Sequence, residues 1–103
     1  MPAYLLASLQ ITDPVAFEDY RSRVPAVIAA HGGRYLVRGG SVDALEGVAP
    51  GNRLVIVEFP DMSRLTAFYR SPEYQPLVQL RNRAAISTLL ALEGVGADEN
   101  PGA

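Results

Sequence analysis

The chain has 103 residues, 49% of them hydrophobic, a formal net charge of −2, and no cysteine, tryptophan or lysine. These figures exclude a disulfide framework, a thiolate nucleophile, a Cys-based zinc site and Schiff-base chemistry, and the lone His31 cannot form a multi-histidine metal cage. All nine basic residues are arginines scattered among acids from Arg21 to Arg83 rather than gathered into the basic face that nucleic acid requires, so no nucleic-acid partner is expected.

One domain is expected at this length. No run approaches the roughly 18 consecutive apolar residues of a membrane span, and Met1-Pro2-Ala3 has no basic leader, so the expected location is cytoplasmic, with no membrane partner. No cofactor and no metal are expected.

Ala3 to Ile11 is rich in Leu, Ala and Tyr with little polar interruption, and predicts a first strand buried on both faces. Asp13-Pro14 reads as an N-cap followed by proline at the first helical position. Phe17, Tyr20, Val24, Val27 or Ile28, and His31 then recur at helical spacing, through a proline at 25 expected to kink the helix without ending it. His31-Gly32-Gly33 supplies the helix stop. Arg34 to Arg38 predicts a second strand, alternating Tyr35 and Val37 against Leu36, with Gly39-Gly40 signalling a bulge or bend.

A loop through Glu46-Gly47 and Pro50-Gly51-Asn52 leads to the β-branched run from Leu54 to Phe59, the third strand. Asp61 is placed to cap a second helix through Leu65, Phe68 and Tyr69. Ser71-Pro72-Glu73 predicts that this helix breaks and restarts through Tyr74, Leu77, Val78 and Arg81. Ile86 to Glu93 reads as the last strand, and the residues from 95 to 103 as a flexible tail after a single domain over 1 to 94.

The order β-α-β-β-α-β implies an α+β, ferredoxin-like sandwich: an antiparallel four-stranded sheet with two helices on one face, because crossovers of one hand place both helices on the same side. The other face is apolar and bare. A second copy of the chain is its simplest cover, so a homodimer is expected.

Several segments in order carry a family resemblance: Asp13 with Tyr20, His31-Gly32-Gly33-Arg34-Tyr35-Leu36-Val37-Arg38-Gly39-Gly40, Glu58-Phe59-Pro60, and Ser71-Pro72-Glu73-Tyr74 before Arg81. From about Ala3 to Gly94 the chain resembles the family known as domain of unknown function 1330. The resemblance implies a dimeric α+β barrel without implying a reaction. The chain departs from the family pattern at Val48, where tryptophan is common. Activities of related barrels that use Trp, Asn and His together therefore do not carry over.

Candidate site residues follow from chemistry. His31 is the only side chain with an unperturbed titration near neutrality, and so the first candidate acid-base catalyst. A histidine in the last helical turn also has an ordinary capping role, which is the favoured reading. Glu58, on an apolar strand, is the second catalytic candidate, or else half of a structural bridge with Arg38 on the neighbouring strand. Tyr20, Tyr69, Tyr74, Arg38 and Arg81 combine rings with guanidinium groups and are candidate ligands for a small organic anion, against the plainer reading of core tyrosines with hydroxyls reaching the surface. The chain is thus expected to be a cofactor-independent enzyme or binder acting on a small, partly apolar organic anion, with a non-catalytic dimerisation or ligand-sensing module as the alternative.

Overall fold

The computed structural model describes residues 1–48 and 53–96. The Pro50-Gly51-Asn52 turn and most of the expected tail, from 97 on, lie outside these residues. The elements are β1 (Ala3–Ile11), α1 (Pro14–Ala30), β2 (Arg34–Arg38), β3 (Arg53–Phe59), α2 (Met62–Arg70), α3 (Gln75–Ala84) and β4 (Ala85–Glu93). No helix among the described residues is long and apolar enough to cross a membrane.

Short-range chemistry sets the helix ends. The Asp13 carboxylate accepts from the Ala16 amide at 3.1 Å, and that of Asp61 from the Arg64 amide at 2.8 Å, each satisfying an amide that lacks a helical partner. At the far end of α1, Gly32 takes φ 79° and donates to Ala29 O, while Gly33 donates to Ile28 O. This is a Schellman cap, and it needs a residue free to adopt positive φ. The second helix does break: the Ser71 hydroxyl donates to Phe68 O at 2.8 Å and accepts from the Tyr74 amide at 3.2 Å, turning the chain from α2 into α3.

The four strands are ordered β2-β3-β1-β4 with every neighbouring pair antiparallel, the ferredoxin-like arrangement. Side chains alternate between faces, so the register sorts them. Ala3, Leu5, Ala7 and Leu9 of β1 align with Phe59, Val57, Val55 and Arg53 of β3, and this face lies under the helices. Leu5, Leu9, Val57 and Phe59 are buried there against Phe17, Val24 and Ile28 of α1 and Leu65 and Phe68 of α2.

The opposite face carries Leu6, Leu54, Ile56, Ile86, Leu90 and Leu92. Among the described residues nothing covers it: Leu90 is 48% and Ile86 65% exposed. The apolar character of β1 on both sides is therefore met by burial on one side only.

Candidate functional site

One irregularity in the sheet builds the site. In plain alternation Arg34, Leu36 and Arg38 share a face. The observed pairs are Arg34 with Glu58, Tyr35 with Val57, Val37 with Ile56 and Arg38 with Val55, with a register shift between Tyr35 and Val37. Leu36 is the extra residue of a β-bulge, and beyond it every side chain changes side. The bulge sends Arg38 to the helix side with Tyr35 and leaves Arg34 on the open face with Glu58. The expected Arg38–Glu58 bridge is thus corrected: the two side chains lie on opposite faces of the sheet.

Glu58 is bridged instead by Arg34, whose Nε donates to Glu58 Oε1 at 2.7 Å, while the Tyr4 hydroxyl donates to the same carboxylate. The Arg34 hydrogen bond, foremost, holds the Glu58 carboxyl below its usual range. Desolvation and the bond to Glu58 push the Tyr4 hydroxyl up. His31 is likewise away from the helix-side cavity. Its ring Nδ1 lies 3.0 Å from Val27 O, donating to it, and the ring stands edge-on to Phe68 at 5.9 Å. It is a capping histidine at the end of α1.

The cavity lies between the helix-side sheet face and α1, α2 and α3. Leu5, Ala7, Leu9, Val55 and Val57 form its apolar floor, with Phe17, Tyr20, Tyr35, Phe68 and Tyr74 around it. Four arginines line it, Arg21, Arg38, Arg53 and Arg81, and among the described residues no Asp or Glu does. Arg21 pairs with Glu18 at 3.1 Å, but Arg38, Arg53 and Arg81 form no ion pair among the described residues. The free space is about 40 Å³. On the scale where about 10–15 Å³ holds one water, that is room for a few heavy atoms.

Arg81, on α3, is only 5% exposed. Its Nη1 donates to the Tyr74 hydroxyl at 2.6 Å, which lies 2.9 Å from the Tyr20 hydroxyl on α1. Its Nε is buried without a hydrogen-bond partner among the described residues, as is that of Arg53. Burial above all raises the Tyr74 hydroxyl far beyond the ordinary phenol range, so it is neutral. Arg53 stands over Phe17 at 5.5 Å. Desolvation first, then the Arg21 and Arg38 charges, lower its pKa, the mark of a site crowded with cations. A Cβ on Gly39, whose φ is 72°, would collide with the Arg53 guanidinium, so this glycine both turns the chain and leaves the guanidinium its place. Arg38 stacks on Tyr35 at 4.5 Å and donates from Nη2 to Arg21 O at 3.1 Å.

Of the residues expected from sequence, the structure therefore gathers Tyr20, Arg38, Tyr74 and Arg81 around one cavity, and sets His31 and Glu58 outside its lining. Tyr69 is 39% exposed and borders a separate, more open groove with Leu65, Thr66 and Leu90, and its ring contacts that of Tyr74 at 5.9 Å. Sequence reasoning missed Tyr35 and Arg53. Arg53 had a usable signal, its spacing of two and four from Val55 and Val57 on one strand face.

The model of the domain of unknown function family DUF1330 matches residues 2–95. No curated protein matches the chain. Among solved structures, a protein of unknown function from Rhodopseudomonas palustris is similar at 22% identity and TM-score 0.70, over 92% of this chain and 83% of that one. A dimeric ferredoxin-like protein of unknown function from Jannaschia is similar at 15% identity and TM-score 0.64, over 91% of this chain and 100% of that one. SnoaB, a cofactor-independent oxygenase from Streptomyces nogalater, is similar at 11% identity and TM-score 0.63, over 93% of this chain and 95% of that one. At these identities the likeness is one of fold. The family match covers nearly the whole chain, which belongs to the DUF1330 family.

Proposed function

We propose that this DUF1330 chain works in the cytoplasm as a homodimer and binds a small, partly apolar organic anion in the cavity lined by Tyr20, Tyr35, Tyr74, Arg38, Arg53 and Arg81. One observation carries the reading: Arg81 is buried beside an apolar floor with no carboxylate among the described residues to compensate it. A desolvated cation is costly unless paired, and with no described acid in the cavity a ligand carboxylate would supply the pair. The floor of Leu5, Leu9 and Val55 suits the ligand's apolar part.

Binding rather than proton abstraction fits the placement of His31 and Glu58, both engaged elsewhere. The enzymatic form of the same reading is stabilisation of an anionic intermediate by the arginines, which needs no cofactor. The fold shared with a cofactor-independent oxygenase is compatible with that form. The homodimer rests on the uncovered apolar sheet face and on the dimeric ferredoxin-like neighbour.

Calorimetric or NMR titration of the whole protein with propionate and with propionamide tests the reading. Propionate is expected to bind, propionamide at least about tenfold more weakly, and Arg81→Met to abolish the preference. Equal binding of the two probes, or of neither, overturns it.

A further inference from the structure

The hydroxyls of Tyr20 and Tyr74 form a chain whose direction follows from the Arg81 contact together with the burial of Tyr74. A guanidinium has no acceptor, so the Tyr74 oxygen accepts from Arg81 Nη1 at 2.6 Å. The proton of Tyr74 must then go elsewhere. Tyr74 is 1% exposed, and the hydroxyl of Tyr20 at 2.9 Å is its one hydroxyl neighbour among the hydrogen bonds of the described residues. A buried hydroxyl proton without an acceptor is costly, so Tyr74 donates to Tyr20. Tyr20 is thereby used as an acceptor, which leaves its own proton free for the cavity it lines, where no Asp or Glu is present among the described residues.

We propose that Tyr20 is the cavity's oxyanion donor, oriented and polarised by Arg81 through Tyr74, and that the group it receives is the carboxylate head of a short monocarboxylate. This rests on the anion-binding reading above and adds to it which atom meets the ligand. The free space of about 40 Å³ matches a carboxylate head with one or two carbons, its remainder leaving past Tyr35 and Arg38. One carboxylate oxygen accepts a hydrogen bond from the Tyr20 hydroxyl and the other faces the unpartnered Nε of Arg81 or Arg53. Charge passes along the chain because each hydrogen bond polarises the next. Tyr74 is a positioning residue that acts through Tyr20.

A double-mutant cycle on propionate affinity in the full chain tests this. Tyr20→Phe is expected to weaken binding about tenfold or more, the scale of a hydrogen bond to a charged group. Tyr74→Phe is expected to weaken binding about threefold in the native background and not at all in the Tyr20→Phe background. Unchanged affinity in Tyr20→Phe, with propionate still preferred over propionamide, overturns the relay and leaves the anion reading standing; losses that add independently also overturn it. Should Tyr74→Phe fail to fold, hydroxyl-proton NMR of the unaltered protein decides. The Tyr74 proton is expected to exchange slowly with and without propionate, and the Tyr20 proton only once propionate is bound. A Tyr20 proton protected in the ligand-free protein means that Tyr20 donates to Tyr74, and the proposal fails.

Discussion

Arg38 donates to the carbonyl of Arg21, and that carbonyl is the one a proline at position 25 leaves without its helical partner. In an unbroken α-helix the amide of residue 25 would bond the carbonyl of residue 21, but proline has no N–H. The helix nonetheless runs from Pro14 to Ala30, and a guanidinium from the far end of β2 supplies the missing donor at 3.1 Å. The same side chain closes one side of the cavity, so the interruption in α1 and the rim of the site are one feature.

Arg38→Met should therefore destabilise the fold by about 1 kcal/mol, the scale of a hydrogen bond at an exposed site. Pro25→Ala restores an amide to the helix and should cancel most of that loss in the double variant. Denaturant unfolding at fixed protein concentration gives all the values. Equal cost of Arg38→Met with Pro25 and with Ala at 25 would show that the carbonyl contact carries no energy.

Gly39→Ala should destabilise by more than about 1 kcal/mol, since it forces an alanine to positive φ and drives its methyl into the Arg53 guanidinium. Gly40→Ala next to it, where a Cβ meets nothing within 4 Å, is the control and should be close to neutral. Propionate affinity should fall in the first variant and hold in the second, because only the first displaces Arg53.

The Arg34–Glu58 bridge sets a pH dependence at the acid end. The Glu58 carboxyl is held below its ordinary value in the folded chain. Its contribution is therefore fully present above the unfolded carboxyl pKa of about 4.3 and is lost as the pH falls through the lower folded value. Glu58→Gln should flatten this part of the stability curve below about pH 4.5, and Arg34→Met should do the same. Arg38→Met should leave it unaltered, and Arg38→Met with Glu58→Gln should be additive in urea unfolding, as expected of side chains on opposite sheet faces.

Leu6→Asp and Ile56→Asp place charges on the open sheet face, at directly paired positions of β1 and β3. Sedimentation of the native chain at micromolar concentration should give a dimer, and each variant should shift it to monomer while keeping its far-ultraviolet circular dichroism. A native chain that sediments as a monomer would leave the apolar face to some other cover.

Arg81→Met should leave the ligand-free protein as stable as the parent or more so, because it removes a buried cation that meets no carboxylate among the described residues. It should also remove the rise in melting temperature that propionate gives the parent. A marked loss of stability without ligand would show that Arg81 serves the fold rather than the site.

Element order, both aspartate caps, the glycine stop of α1 and the break at Ser71 were legible in the sequence because each is settled by residues within a few positions of one another. Tyr20, Tyr74 and Arg81 were legible as candidates for a similar reason, since helical spacing fixes which way they face once the helices are placed. The position of Arg38 was not. A single extra residue at Leu36 changes the face of all that follow it, and no local preference of Leu36 announces this, because the bulge exists only in the pairing of β2 with β3. The partner of Glu58 followed from that same slip, passing from Arg38 to Arg34. Tertiary packing alone decided that Arg38 would answer a carbonyl 17 positions back in the chain, and that Arg81 would enter the core with a tyrosine hydroxyl and, among the described residues, no carboxylate for company. Long side chains find their partners across elements, and sequence spacing carries no record of those distances.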